Sequence, residues 1–309
     1  MITDRVNPWY GTGESVCDNN SNVKAVLQAV GMDWKVEPRG VYYLDGPINN
    51  NGDNFDEAPH HVANVRSDTG KLLGIVSDKY NIVQNEEAFS FIDYMIPLGL
   101  ELIKGGIIND KKVWLAGKLN SNIMNVGEDQ VDTYLLFTNS HDGKGSIRIC
   151  LTPIRVACQN ALNLAFKNSF RSWSVSHVGD IQGKLHTVDQ AIQNIEVYTK
   201  EFQKNGLILQ DTHLTNLRVE NLLVDLFPVE TGSTEQKEKV ILERRRTVRG
   251  IFYQAPDLGR GTAWDFVNAV SDYATHYLPS YNEQLYRTSN LNKVMKGHSL
   301  IDRAYRLVA

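Results

Sequence analysis

The sequence predicts an α+β protein: an antiparallel, strand-rich core that feeds a helix, followed by a helical C-terminal region. Two observations predict it. Across 62–151, alternating apolar runs are parted by turn-forming Gly, Asn and Asp residues. From His186 onward, apolar side chains recur every three or four residues between Gly and Pro punctuation.

The elements follow in order. Val23, Val26, Leu27 and Val30 share one face of a helix over 22–30, and Gly40–Asp45 reads as a strand before an Asn/Asp/Gly-rich loop at 49–56. Strands at 62–66 and 72–77 flank the hairpin turn Ser67-Asp68-Thr69-Gly70. Asn85 caps a helix over 86–96 that carries two acids in its first turn. Strands are expected at 112–119, 131–139 and 146–151, the last two joined by a turn-rich segment. In the last strand Ile147, Ile149 and Leu151 share the packed face, which leaves Arg148 and Cys150 on a face free for function. Thr152-Pro153 has the form of an N-cap followed by Pro at the first helical position, predicting a helix through Lys167. Its polar stripe holds Arg155, Gln159, Asn163 and Lys167. Further helices are expected at 186–204, 212–227, 234–252, 262–278 and 299–308. The boundary falls near 179–183, dividing a 1–182 core domain from a 183–309 helical region.

With 309 residues, 42% of them hydrophobic and 22% charged, the chain has material for a sizeable core. Its net charge of −4 argues against a generally basic coat but leaves room for a local basic groove. Cys17, Cys150 and Cys158 are an odd number in a long chain and read as reduced thiols. No apolar run approaches the roughly 18 residues of a membrane span, and residues 1–5 lack a signal-peptide core. The expected location is the cytoplasm.

Several motifs invite chemistry and each has a plainer reading. Gly11-Thr12-Gly13 lacks the strand and remaining glycines of a phosphate loop, so it reads as a turn. His60 and His61, near Asp53, Asp56 and Glu57, point to opposite faces of a strand and cannot easily share an ion. His141, Asp142, Cys150 and Cys158 are residue types of nucleophilic catalysis, yet Asp142-Gly143 is ordinary turn chemistry and Cys158 falls on an apolar stripe. Arg244, Arg245, Arg246 and Arg249 share a helix with Glu235, Glu238 and Glu243, as a solvated face does.

The central basic set is the most suggestive feature. From Lys104 to Arg171 there are nine Lys or Arg against five acids, so this window opposes the acidic remainder. Lys111, Lys112, Lys118, Arg148, Arg155, Lys167 and Arg171 are the candidate phosphate contacts, with Gln159 and Asn160 as hydrogen-bonding partners. Trp114, Tyr134 and Trp173 are candidate stacking faces. Such a surface needs neither metal nor nucleotide.

Five segments then carry a resemblance. They are Trp9-Tyr10-Gly11-Thr12-Gly13; Leu73–Tyr80 with Val83-Gln84-Asn85 and Phe89; Thr138–Gly143; Thr152–Leu162; and Gly261-Thr262-Ala263-Trp264 with Asn268-Ala269-Val270 and Tyr273. Together they resemble the phage/plasmid-like proteins grouped as domain of unknown function 932. Tyr10 stands where that pattern has a His. The resemblance implies a gene of phages, plasmids or integrated elements and brings no catalytic residues. The central order of strands then helix also looks like the core of Rad-type single-strand annealing proteins, a likeness of fold alone. It implies binding of single-stranded DNA by subunits assembled side by side as a homo-oligomer. Two other readings are a factor that binds a host protein to block a defence complex, and an enzyme with a site near His141 that gathers His141, Asp142 and Gln159.

Overall fold

The computed structural model describes residues 9, 12–16, 22–45, 55–157, 159, 161, 162, 164, 171–179, 188–255, 258, 260–277, 289, 291–294 and 298–309, with backbone alone at 188–193. It shows an α+β fold with two antiparallel sheets and C-terminal helices. The large sheet is a seven-stranded array in the order β1 (Glu14–Ser15), β5 (Leu100–Ile108), β6 (Lys112–Leu119), β8 (Asp129–Ser140), β9 (Ile147–Arg155), β10 (Ser172–Val175), with β7 (Met124–Val126) also paired to β8. The small sheet joins β2 (Val36–Leu44), β3 (Phe55–Arg66) and β4 (Leu72–Ser77), and β3 and β4 meet at the expected 67–70 turn. Among the described residues no helix is long and apolar enough to cross a membrane.

Short helices α1 (Val23–Ala29), α2 (Asn85–Phe89) and α3 (Ile92–Met95) precede β5. Asn22 caps α1 as a polar N-cap should, its side chain accepting from the Ala25 N–H. The second expected helix breaks into α2, α3 and a 3₁₀ turn at Ile96–Leu98, where Pro97 interrupts the ladder. Its cap is Gln84 rather than Asn85, which is buried instead.

After the sheet come α4 (Val188–Asp211), α5 (Asn216–Leu226), α6 (Glu235–Gln254), α7 (Ala263–Asp272) and α8 (Ser299–Val308). Thr215, Thr234 and Thr262 cap α5, α6 and α7 by accepting from the third helical N–H, and Asp265 completes a capping box with Thr262. A π-helical turn, Tyr273–Tyr277, extends α7. Val219, Leu223, Val248, Phe252, Phe266 and Val270 form a core among these helices. The main core, however, mixes Leu115, Leu135, Phe137 and Ile149 of the sheet with Tyr198, Phe202, Trp264 and Val267 of the helices.

The helix expected from Thr152 does not form there. Thr152, Pro153, Ile154 and Arg155 complete β9, opposite Tyr134, Thr133, Asp132 and Val131. Pro153 is tolerated because its nitrogen faces the side where β10, which pairs only with residues 147–150 of β9, has already ended. The proposed polar stripe therefore does not exist as such: Arg155 is strand and Gln159 follows a turn at φ 53°. Cys158, Asn160, Asn163 and Lys167 lie outside the described residues.

The other face of the large sheet is not open either. Trp114, Ala116, Leu136, Cys150 and Ile154 pack there with Trp9, Ala161, Leu291 and Val294. The strand parity that sets Lys118 and Arg148 apart from the main core is observed, but their face carries an apolar cluster of its own.

Candidate nucleic-acid interface

The structure divides the central cations into two groups. The first is neutralised internally. Lys118, on β6, pairs with Asp132 of neighbouring β8 at 2.7 Å. Arg155 is only 1% exposed and pairs with Asp129 at 2.7 Å. The other oxygen of Asp129 accepts from the indole N–H of Trp264 at 2.7 Å. A buried guanidinium held by a half-buried carboxylate is architecture, since an isolated charge there would be prohibitive. Arg155 and Lys118 therefore do not line an open phosphate path. Gln159 is also occupied locally, its amide donating to the Val156 carbonyl at 3.0 Å.

The second group converges. Lys112 begins β6 opposite Ser140, and Arg148 lies in β9 between Thr138 of β8 and Ser174 of β10. Arg171 stands just before β10 and donates to the Val294 carbonyl at 2.9 Å. All three are half-buried, and their charges act on the one Cys150 thiol. Burial raises that thiol's pKa, while Arg171, Arg148 and Lys112 pull it down. Arg148 makes no ion pair among the described residues. Lys111, in the turn before β6, and Lys144, in the β8–β9 connection, stand at the same end of the sheet.

The stacking faces fare differently. Trp114 is buried in the second-face cluster. Trp173 packs on the main core. Tyr134 is half-buried with its ring 5.0 Å from Trp9, and burial, then Asp132 and Glu101, push its pKa up to about 12. None of the three presents an open ring.

At the β8–β9 end lies a buried polar seam. His141 Nε2 is 2.7 Å from Asn85 Oδ1, which can only accept, so the ring donates through Nε2 and its Nδ1 carries the lone pair. The Asn85 amide in turn donates to the Met32 carbonyl, and Asn139 donates to the Val83 carbonyl. Burial, then the nearby His177, lowers the His141 pKa to about 3. His177 donates from Nδ1 to the Asn81 carbonyl and stacks on Tyr80 at 4.7 Å. The Tyr80 hydroxyl donates to the Ser140 carbonyl, and Asn64 of β3 donates to the His141 carbonyl. These bonds fasten the small sheet to the large one.

An enzyme built on His141, Asp142 and Gln159 loses its geometry here. His141 follows one end of β8, while Gln159 follows Arg155, which pairs with Val131 near the other end. At about 3.4 Å per strand residue the two stand roughly 30 Å apart. His60 and His61 also diverge: His60 pairs with Asp78 at 2.7 Å, while His61 reaches the Pro59 carbonyl. Among the described residues, no three His, Cys, Asp or Glu side chains gather as a metal site.

Sequence reasoning missed the pairing of motifs across long separations. The segment with Arg155 and the segment with Trp264 meet on Asp129. The segment with Asn85 meets the one with Asn139 and His141. The signal was present as buried-type polar residues at apolar-looking positions, but the partners are up to 135 residues away.

Comparison with known proteins gives one finding. A family model described as Domain of unknown function (DUF932) matches residues 72–296. No curated protein matches the chain, and no solved structure does.

Proposed function

Because the chain belongs to the Domain of unknown function (DUF932) family, whose description assigns no activity, we propose from its own residues that it is a single-stranded DNA binding factor of a phage or plasmid. The supporting observation is the convergence of Lys112, Arg148 and Arg171 around Cys150, with Arg148 lacking a counter-ion among the described residues. Cations brought together from separate segments, at the cost of mutual repulsion, suit a polyanion. Ser174, exposed on neighbouring β10, flanks Arg148 and adds a hydroxyl group to the same row. The contact is to phosphate, so it carries no sequence preference.

The test is a salt titration of binding to a labelled single strand of mixed sequence. Tight binding at low salt that weakens log-linearly as salt rises supports the reading. Absence of binding at low salt, where the phosphate contribution is largest, overturns it.

A further inference from the structure

The β2–β3 arm brings three exposed aromatic residues together. Tyr42 pairs across the strands with Glu57, Tyr43 with Asp56, and Leu44 with Phe55. Alternation therefore puts Tyr42, Leu44, Phe55 and Glu57 on one face and Tyr43 with Asp56 on the other. Tyr42 and Phe55 are each 61% exposed and Tyr43 is 50% exposed. A folded domain rarely shows three neighbouring aromatic residues to water without a use for them.

The charge of the arm is one-sided. Between Arg39 and Arg66 the sequence has four acids, Asp45, Asp53, Asp56 and Glu57, and no Lys or Arg. Asp56 and Glu57 are exposed. Carboxylates interleaved with aromatic rings form a surface for cationic side chains, which gain an ion pair and a ring face together. A nucleic acid is repelled by such an arm.

The same chain carries the complement. Lys112 pairs with Ser140 and Arg148 with Thr138, two residues apart on β8, so the two cations flank that strand on one face at one end of the sheet. We propose that the arm of one copy docks on the Lys112–Arg148 surface of a second copy, by ion pairing and by cation–aromatic contact. The two surfaces differ, so each copy offers one of each and the contact is heterologous, able to propagate beyond a pair. This proposal does not rest on DNA binding.

The test is sedimentation velocity of the full chain over a range of concentrations, at about 50 mM and about 500 mM salt, regimes that differ in screening length. Wild type is expected to exceed monomer mass at low salt and to fall toward it at high salt. Asp56→Lys with Glu57→Lys, on exposed positions, should give a monomer with an unchanged circular dichroism melt, and Arg148→Glu should do the same. A chain carrying all three changes should regain association, because the charges are exchanged. A wild type that is monomeric at low salt throughout overturns the proposal. So does association that ignores the arm changes, as would an arm that serves a foreign protein, or a triple variant that stays monomeric.

Discussion

His141 donates from Nε2 to the side-chain oxygen of Asn85 at 2.7 Å, inside a seam where neither residue meets water. The bond requires a proton on Nε2, and burial, then His177, holds the His141 pKa near 3, so the ring stays neutral with its lone pair on Nδ1. The unfolded chain titrates near 6.5, so below that pH it binds a proton that the folded chain refuses. Stability is thus full above about pH 6.5 and falls as the pH drops toward 3, by up to ~1.4 kcal/mol per pH unit from this residue. His177, lowered by burial, and His298, lowered to about 4 by burial and then Lys293, act in the same direction. The expected outcome is a chemical-denaturation free energy that drops between pH 6.5 and 4.5, with a shallower drop in His141→Gln. Equal slopes for the two proteins would mean that His141 is not held neutral.

Asp129 is expected to be the most sensitive carboxylate of the fold. Asp129→Ala takes from the buried Arg155 guanidinium the carboxylate it pairs with at 2.7 Å, at a cost of about 3–5 kcal/mol. Trp264→Phe removes a single donor to the same carboxylate and should cost about 1 kcal/mol for the bond. Urea unfolding of both variants ranks them. A reversed order would show that the indole, not the ion pair, carries the junction.

Gly74 permits the small sheet to sit against the β8–β9 end. A Cβ at this position would stand 2.6 Å from the Asp142 Cα, a backbone atom with no room to swing away. Gly74→Ala should therefore destabilise by about 1–3 kcal/mol through overpacking. Hydrogen exchange should show lost protection in β3 and β4 before β8. Unchanged exchange in both strands would mean that the two sheets slide apart without cost.

For the nucleic-acid reading, the two groups of cations give opposite expectations. Arg148→Ala should lower the log–log salt slope of single-strand binding by about 0.7, the share of one phosphate contact. Lys118→Ala removes a charge already spent on Asp132 and should leave that slope nearly unchanged. Fluorescence anisotropy at four or five salt concentrations measures both. If Lys118→Ala flattens the slope as much as Arg148→Ala, Lys118 is not held by Asp132 when the strand binds.

Local patterns made most elements legible and failed where a pattern had two meanings. The helices beginning after Thr234 and Thr262 and the 67–70 turn were legible because each pattern acts on its own few residues. Thr152-Pro153 was misread because the same pair suits a helix start and the half-paired end of a strand. β5 escaped notice because Gly105 and Gly106 break its apolar alternation. They do so because Leu115, Trp114 and Gly13 crowd those positions, leaving no space for a Cβ. For the candidate site, strand parity was legible but occupancy was not. Trp9, Leu291 and Val294 cover the face that Lys118 and Arg148 share, and the partner of Arg155 lies on the strand before its own. Charge counts over a window do not reveal which cations are already spoken for.

The bond between Trp264 and Asp129 spans 135 residues and ties α7 to β8. Cutting the chain near residues 179–183 would therefore yield two pieces that each expose half of one apolar core. Expressed separately, each should be insoluble. Expressed together, they should recombine into a nicked complex, because the contacts that hold the halves need no covalent continuity between them.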